Sequence, residues 1–194
     1  MPNKFRLYTA LAALCMAIAC APTPARAANV PQEIEVPAWF KVSFLDLRDD
    51  VKEASAGGKL LMLYFGQNGC PYCRQLMTVN FQTPAIVAKT RRHFDVIEIN
   101  IVGSRNVTWT DGSVRTEKAL ARYLKVGYTP ALLVVDERGA IVTRINGYLP
   151  LAPFATALDY VIEGAYRQEP DLQHYLKSRG EPVTERATRI ENVK

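Results

Sequence analysis

Residues 60–73 read Leu-Leu-Met-Leu-Tyr-Phe-Gly-Gln-Asn-Gly-Cys-Pro-Tyr-Cys. The first six are an unbroken apolar run, with glycines at 57, 58 and 66 on either side. A run that short, apolar throughout, reads as a strand buried on both faces in a parallel sheet. Residues 66–69 form the turn after it, and residues 71–80 read as a helix. The two cysteines therefore stand where a buried strand hands over to a helix. Cys70 falls at the helix N-terminus, where free N–H groups and the helix dipole stabilise an anion. Pro71 suits the first helical turn, where its missing N–H costs nothing. Cys73, three residues on, shares a helix face with Cys70 and lies deeper. This pattern predicts a two-step exchange. The nucleophile Cys70 attacks a disulfide, and the resolving Cys73 then releases the product from the mixed disulfide.

Working outward, residues 39–56 read as partly helical, with Phe44, Leu47 and Val51 at helical spacing and Leu45 beside them. Residues 84–92 read as a helix and 94–101 as a second core strand. Residues 103–115 are polar, with an Asp111-Gly112 turn and an isolated Trp109. Thr116 caps a short helix to Leu124. Residues 131–135 and 140–145 form a strand pair joined through Glu137-Arg138-Gly139. Residues 151–166 carry an apolar helical stripe of Phe154, Ala157, Leu158, Val161 and Ile162. A last short helix spans 170–178. The order is a βαβ unit followed by a ββα unit. It predicts an α/β fold with a mixed central sheet and helices on both faces.

Composition narrows the function. With 48% apolar and 22% charged residues, the chain is an ordinary globular protein rather than a disordered or repeat one. Its formal charge of +5 is not a nucleic-acid footprint. Lys4, Arg6 and Arg26 lie in residues 1–27, which contain no acidic side chain. Removing those three from the 24 basic residues leaves 21 against 19 acidic. Residues 1–27 have a positive start, an uncharged apolar run at 7–20 and a small-residue site at Ala25-Arg26-Ala27, the parts of a secretory signal. The run is too short to span a bilayer comfortably. Ala17-Ile18-Ala19-Cys20 offers a competing lipoprotein site with an anchor at Cys20. The style is bacterial, and the expected destination is the periplasm.

Of four cysteines, Cys15 and Cys20 fall in the signal, leaving Cys70 and Cys73. A bridge across so short a loop constrains the unfolded chain little, so the pair is there for its reactivity. A zinc site needs more ligands than two cysteines with His93 and His174 far apart in sequence, and no metal is expected. The predicted organisation is a signal at 1–27, a lead-in at 28–38, one domain at 39–180 and a polar tail at 181–194.

The strand at 60–65, then Gly69-Cys70-Pro71-Tyr72-Cys73, then Tyr128-Thr129-Pro130 before the strand at 131–135, resemble the thioredoxin superfamily. The resemblance spans roughly residues 39–165. It implies the thioredoxin fold, a cis Pro130, and substrate contacts at Tyr72, Thr129 and Pro130. Gly147 also fits the family pattern. Within the superfamily the chain resembles exported thioredoxin-related proteins of bacterial sulfur-oxidation (Sox) systems. That implies a periplasmic thiol–disulfide oxidoreductase, monomeric, with no cofactor beyond its redox-active disulfide. It would reduce periplasmic protein disulfides with electrons from a membrane thiol transporter of the DsbD or CcdA kind. The alternatives are a thiol oxidant or isomerase, and a non-enzymatic binding module.

The chain departs from the family at several points. Gly69 replaces the usual Trp, Pro71-Tyr72 replaces Gly-Pro as in glutaredoxins, and Tyr64 stands where a buried Asp assists the second thiol. Another group, or solvent, must then take the Cys73 proton. The segment 103–115 is longer than the family norm. It is either a partner-binding insertion anchored by Trp109 or a loop with one tucked-in aromatic.

Overall fold

A computed structural model describes residues 33–182. The expected signal at 1–27, with the alternative Cys20 site, and nearly all of the tail lie outside the described residues. The elements are α1 (Leu47–Ala56), β1 (Leu60–Gly66), α2 (Pro71–Thr78), α3 (Pro84–His93) and β2 (Phe94–Asn100). There follow β3 (Asn106–Thr108), β4 (Val114–Thr116), α4 (Glu117–Tyr123), β5 (Ala131–Val135), β6 (Ile141–Asn146), α5 (Leu151–Ile162) and α6 (Leu172–Ser178).

A four-stranded sheet runs in the order β2-β1-β5-β6. β1 is parallel to β2, from Leu60 opposite Phe94 to Gly66 opposite Asn100, and antiparallel to β5. β5 and β6 form an antiparallel hairpin. This is the mixed sheet expected of βαβ followed by ββα. Residues 61–66 of β1 are all buried. That burial is why the strand reads as a continuous apolar run and not as an alternation.

The strand pleat divides the core in two. Met62, Tyr64, Phe94, Val96, Leu132 and Val134 pack on one face with residues of α2, α3, α5 and α6, Cys70 and Cys73 among them. Leu61, Leu63, Phe65, Ile97, Ile99 and Leu133 pack on the other face with α1, α4, Val107 and Trp109. Phe154, at the centre of the α5 stripe, is fully buried. A side chain of that kind contributes about 1.5–3 kcal/mol by leaving water.

Five local readings are corrected. Helix α1 starts at Leu47 rather than near Trp39, because Asp46 caps it by accepting the Arg48 N–H. Phe44 is fully exposed and is no part of the helical stripe, whereas Leu45 turns inward at φ 64° and is buried. The residues before Leu47 run along the open edge of β2, where the Lys41 N–H donates to the Val96 carbonyl at 2.8 Å. α2 ends at Thr78, with a separate 3-10 turn at Asn80–Gln82. α5 ends at Ile162, with a 3-10 turn at Ala165–Arg167 after a left-handed Gly164. Ile162, counted in the stripe, is only half-buried.

The 103–115 segment is built, not loose. β3 and β4 pair as a small antiparallel hairpin. Trp109 is tucked into the second core, 6% exposed, so it is not a free anchor. Thr116 caps α4 through a bond from the Ala119 N–H.

Candidate functional site

The site sits at the C-terminal end of β1, where the chain leaves the sheet and enters α2. Gly69, at φ 75°, makes the turn into Cys70. That left-handed conformation suits glycine and strains bulkier residues, which accounts for a glycine where Trp is usual. Cys70 is the N-cap of α2, and Pro71 occupies the first turn. Cys70 and Cys73 form a disulfide, with Cα atoms 5.2 Å apart.

The two sulfurs are not equivalent. Cys73 is fully buried and Cys70 is 7% exposed. The Cys70 Sγ receives the Cys73 backbone N–H at 3.0 Å and the Thr129 hydroxyl at 3.3 Å. It lies 3.5 Å from the Thr129 carbonyl oxygen. Two donors aimed at one sulfur favour a thiolate there once the disulfide opens.

Thr129 comes from the other half of the fold. It precedes Pro130 through a cis peptide bond, and Pro130 leads directly into β5. The Pro130 carbonyl accepts the Gly147 N–H at 2.7 Å, which ties this turn to the end of β6. Cys70, Pro71, Tyr72, Cys73, Thr129 and Pro130 thus meet at one end of the sheet.

Two further residues were given no site role from sequence. Tyr148 stacks on Tyr72, with ring centroids 6.4 Å apart and planes inclined by 18°. Tyr128 is 75% exposed immediately before Thr129. Tyr72 is itself 60% exposed, so aromatic surface flanks the Cys70 sulfur. Only the adjacency of Tyr128 to Thr129 could have signalled this, since Tyr72 and Tyr148 meet through tertiary packing.

Tyr64, nearly fully buried, belongs to the same packed core as the two cysteines. Burial pushes its phenol well above the ordinary value, and the nearby Glu98 carboxylate adds to the shift. Glu98, half-buried on β2, is itself shifted up by burial against the opposing pull of Arg105. Among the described residues no group of three or more His, Cys, Asp or Glu is placed to hold a metal ion.

A family model described as a thioredoxin-like domain matches residues 47–162, more than half of the chain. Among solved structures, a thioredoxin-fold protein from Helicobacter pylori is 24% identical with TM-score 0.54, covering 62% of this chain and 81% of that one. A thioredoxin from Thermus thermophilus is 28% identical with TM-score 0.48, over 60% and 84%. The C-terminal domain of DsbD from Neisseria meningitidis is 16% identical with TM-score 0.42, over 60% and 91%. No curated protein matches the chain.

Proposed function

Because the chain belongs to the thioredoxin-like family, we propose that it is a thiol–disulfide oxidoreductase that reduces protein disulfides by dithiol–disulfide exchange. The observation that carries this reading is the Cys70 sulfur. It caps α2, receives two hydrogen-bond donors, and is the partly exposed member of a pair whose other sulfur is buried.

The mechanism follows from that inequality. With the pair reduced, the Cys70 thiolate attacks one sulfur of a substrate disulfide, and the other substrate sulfur leaves as a thiolate. Cys73 then attacks the Cys70 sulfur. The mixed disulfide breaks, its electron pair leaves on the substrate sulfur, and the Cys70–Cys73 bond forms. Thr129 and cis Pro130 hold the substrate chain beside Cys70. Pro71 supports the helix N-terminus that favours the thiolate. Tyr72, stacked with Tyr148, and the exposed Tyr128 before Thr129 supply apolar contact for residues flanking the substrate cysteine.

The reading extends to setting. An export signal at residues 1–27 directs the chain to the periplasm. There its substrates are protein disulfides, and a membrane thiol transporter of the DsbD or CcdA kind returns its electrons. A place beside bacterial sulfur oxidation rests on sequence resemblance.

The reduction potential, read by equilibration against a glutathione or dithiothreitol series, tests the direction. A value near about −270 mV supports a reductase, and one near about −120 mV makes the protein a disulfide donor instead. Cys73→Ser should trap substrates as mixed disulfides on Cys70. Partner capture that survives loss of both cysteines would instead mark a binding module.

A further inference from the structure

The outer face of α4 carries charges that the exchange mechanism does not use. Between Asp111 and Asp136 the chain holds Arg115, Lys118, Arg122 and Lys125 against one acidic residue, Glu117. Glu117 is buried, and its carboxylate is taken up by Arg105 and the Asn100 N–H. The exposed surface of this stretch is therefore basic, although the chain beyond residue 27 is nearly balanced, at 21 basic against 19 acidic residues.

Packing sets which side chains face out. Leu120, Ala121 and Leu124 belong to the second core. Lys118 and Arg122, four residues apart on the helix, are neighbours on its exposed side. Lys125 follows the helix end at φ 54°, with its N–H bonded to the Arg122 carbonyl at 3.0 Å, and is exposed as well. Among the described residues none of these three cations has an ion-pair partner, whereas Lys41, Lys59, Lys89 and Arg138 each hold a carboxylate.

Helix stability does not account for this arrangement. Arg122 and Lys125, at the C-terminal end of α4, complement its dipole, but Lys118 sits in the first turn, where a cation opposes it. Lys118 and Arg122 are also like charges at i and i+4, a pairing that weakens a helix. Local rules broken with no offsetting contact mark positions where function is expected.

The basic face leads to the reactive sulfur. Lys125 is four residues before Thr129, whose hydroxyl donates to the Cys70 sulfur. Their Cα atoms are therefore no more than about 14 Å apart, and that of Arg122 is within about 25 Å. Exposed aromatic rings lie between. Tyr128, 75% exposed, adjoins Thr129. Tyr123, 44% exposed, ends α4 with the Arg115 guanidinium carbon 3.9 Å from its ring centre. An extended chain advances about 3.4 Å per residue, so a segment whose cysteine sits at Cys70 reaches Lys125 within about four residues and Arg122 within about seven.

We propose that Lys118, Arg122 and Lys125, with Tyr123 and Tyr128, form a docking surface for an acidic polypeptide segment of the disulfide-bearing partner. The segment carries its carboxylates about four to seven residues from the cysteine that Cys70 attacks. Its apolar side chains lie on the two tyrosines. Unpaired cations beside the opening raise the encounter rate of such a segment and orient it toward Cys70. Basic segments meet like charges before they reach the sulfur and are selected against. This proposal rests on the exchange reading, but docking is tested apart from turnover.

The docking test uses the Cys70→Ser, Cys73→Ser chain and a dye-labelled acidic peptide that contains no cysteine. Fluorescence anisotropy should show saturable binding that weakens about tenfold between about 20 and about 200 mM salt. Lys118→Gln, Arg122→Gln and Lys125→Gln together should weaken it about tenfold at the lower salt. All three side chains are exposed, so this variant should melt where its parent does. Absence of binding, or binding that the three substitutions leave unmoved, overturns the proposal. Binding of phosphatidylglycerol vesicles but not of the peptide assigns the face to an anionic lipid surface and overturns it likewise.

The turnover test compares peptide disulfides that differ only in acidic or basic residues at those positions. Neutral hydroxyethyl disulfide, too small to reach α4, reads the exchange chemistry alone. With the wild-type chain the acidic peptide should react about tenfold faster than the basic one at about 20 mM salt, and the gap should close at about 200 mM. Lys118→Glu with Arg122→Glu should reverse the preference. Equal rates for the two peptides, or a preference that the charge reversal leaves intact, overturn the docking surface while the exchange reading stands. If none of these disulfides is reduced, the exchange reading fails, and the anisotropy measurement still decides the docking surface.

Discussion

Replacing Glu117 tests the account of how the 103–115 segment is fastened to the domain. Glu117 opens α4 and is 1% exposed. Its carboxylate accepts the Asn100 N–H at 2.9 Å, the Arg105 N–H at 3.2 Å and the Arg105 guanidinium at 2.6 Å. It thereby ties the end of β2 to the start of the hairpin segment. Glu117→Ala leaves two backbone donors without their acceptor. Hydrogen bonds to a charged partner contribute about 1.5–3 kcal/mol each. The Arg105 side chain is 57% exposed and regains water, so its ion pair adds under about 1 kcal/mol. The expected loss is about 3–7 kcal/mol from these sums. At about 2–4 °C per kcal/mol for a domain of this size, the melting temperature should fall by at least about 6 °C. Glu117→Gln should lose roughly half as much, because its NH2 group must face one of the same donors. Burial works against the charged form, but Arg105 and the two N–H groups hold the Glu117 carboxyl below its usual value. A depressed folded value means that the contribution is present above the unfolded value, about 4.3, and is lost as pH falls through the folded one. Urea unfolding at pH 7 and at about pH 3 measures both quantities. A loss under about 1 kcal/mol at pH 7 for Glu117→Ala, or a variant gap that does not narrow in acid, would refute the reasoning.

Three further outcomes are expected. Thr129→Val removes a donor from the Cys70 sulfur, so iodoacetamide alkylation of reduced Cys70 at neutral pH should slow by about fivefold to tenfold, corresponding to about 1 kcal/mol. Trp109→Ala opens the second core and should cost about 3–5 kcal/mol in urea unfolding; a surface-like value under about 1 kcal/mol would show that the indole is not packed there. Phe44→Ser should change stability by less than about 0.5 kcal/mol, whereas Leu47→Ala should cost about 2–5 kcal/mol, since the first side chain is fully exposed and the second fully buried.

The parts of this architecture that were legible in sequence are those whose signal is local. β1 announces itself because a doubly covered strand is apolar at every position. The Cys70–Cys73 pairing was legible because a C-x-x-C that begins a helix directly after a buried strand brings its two sulfurs within bonding distance. Phe44 misled because its spacing to Leu47 and Val51 matches a helix, while the Asp46 cap and the left-handed Leu45 begin the helix later. The β3–β4 hairpin was hidden by its brevity. Two three-residue strands of mixed polarity carry no periodicity, and their stability comes from Val107 and Trp109 packing on α1 and α4 residues. Tyr148 was invisible for a different reason. What matters about it is which ring stands opposite, and the Tyr72–Tyr148 stack is made by tertiary packing.

The unequal exposure of the two sulfurs has a kinetic consequence. With Cys73 sealed and Cys70 only 7% exposed, any reagent that exchanges with this disulfide must enter through the same small opening at Cys70. An electron donor and an electron acceptor cannot occupy that opening together. Turnover would then alternate between half-reactions without a ternary complex, giving parallel double-reciprocal plots, and each partner in excess would inhibit the other by competing for the single doorway.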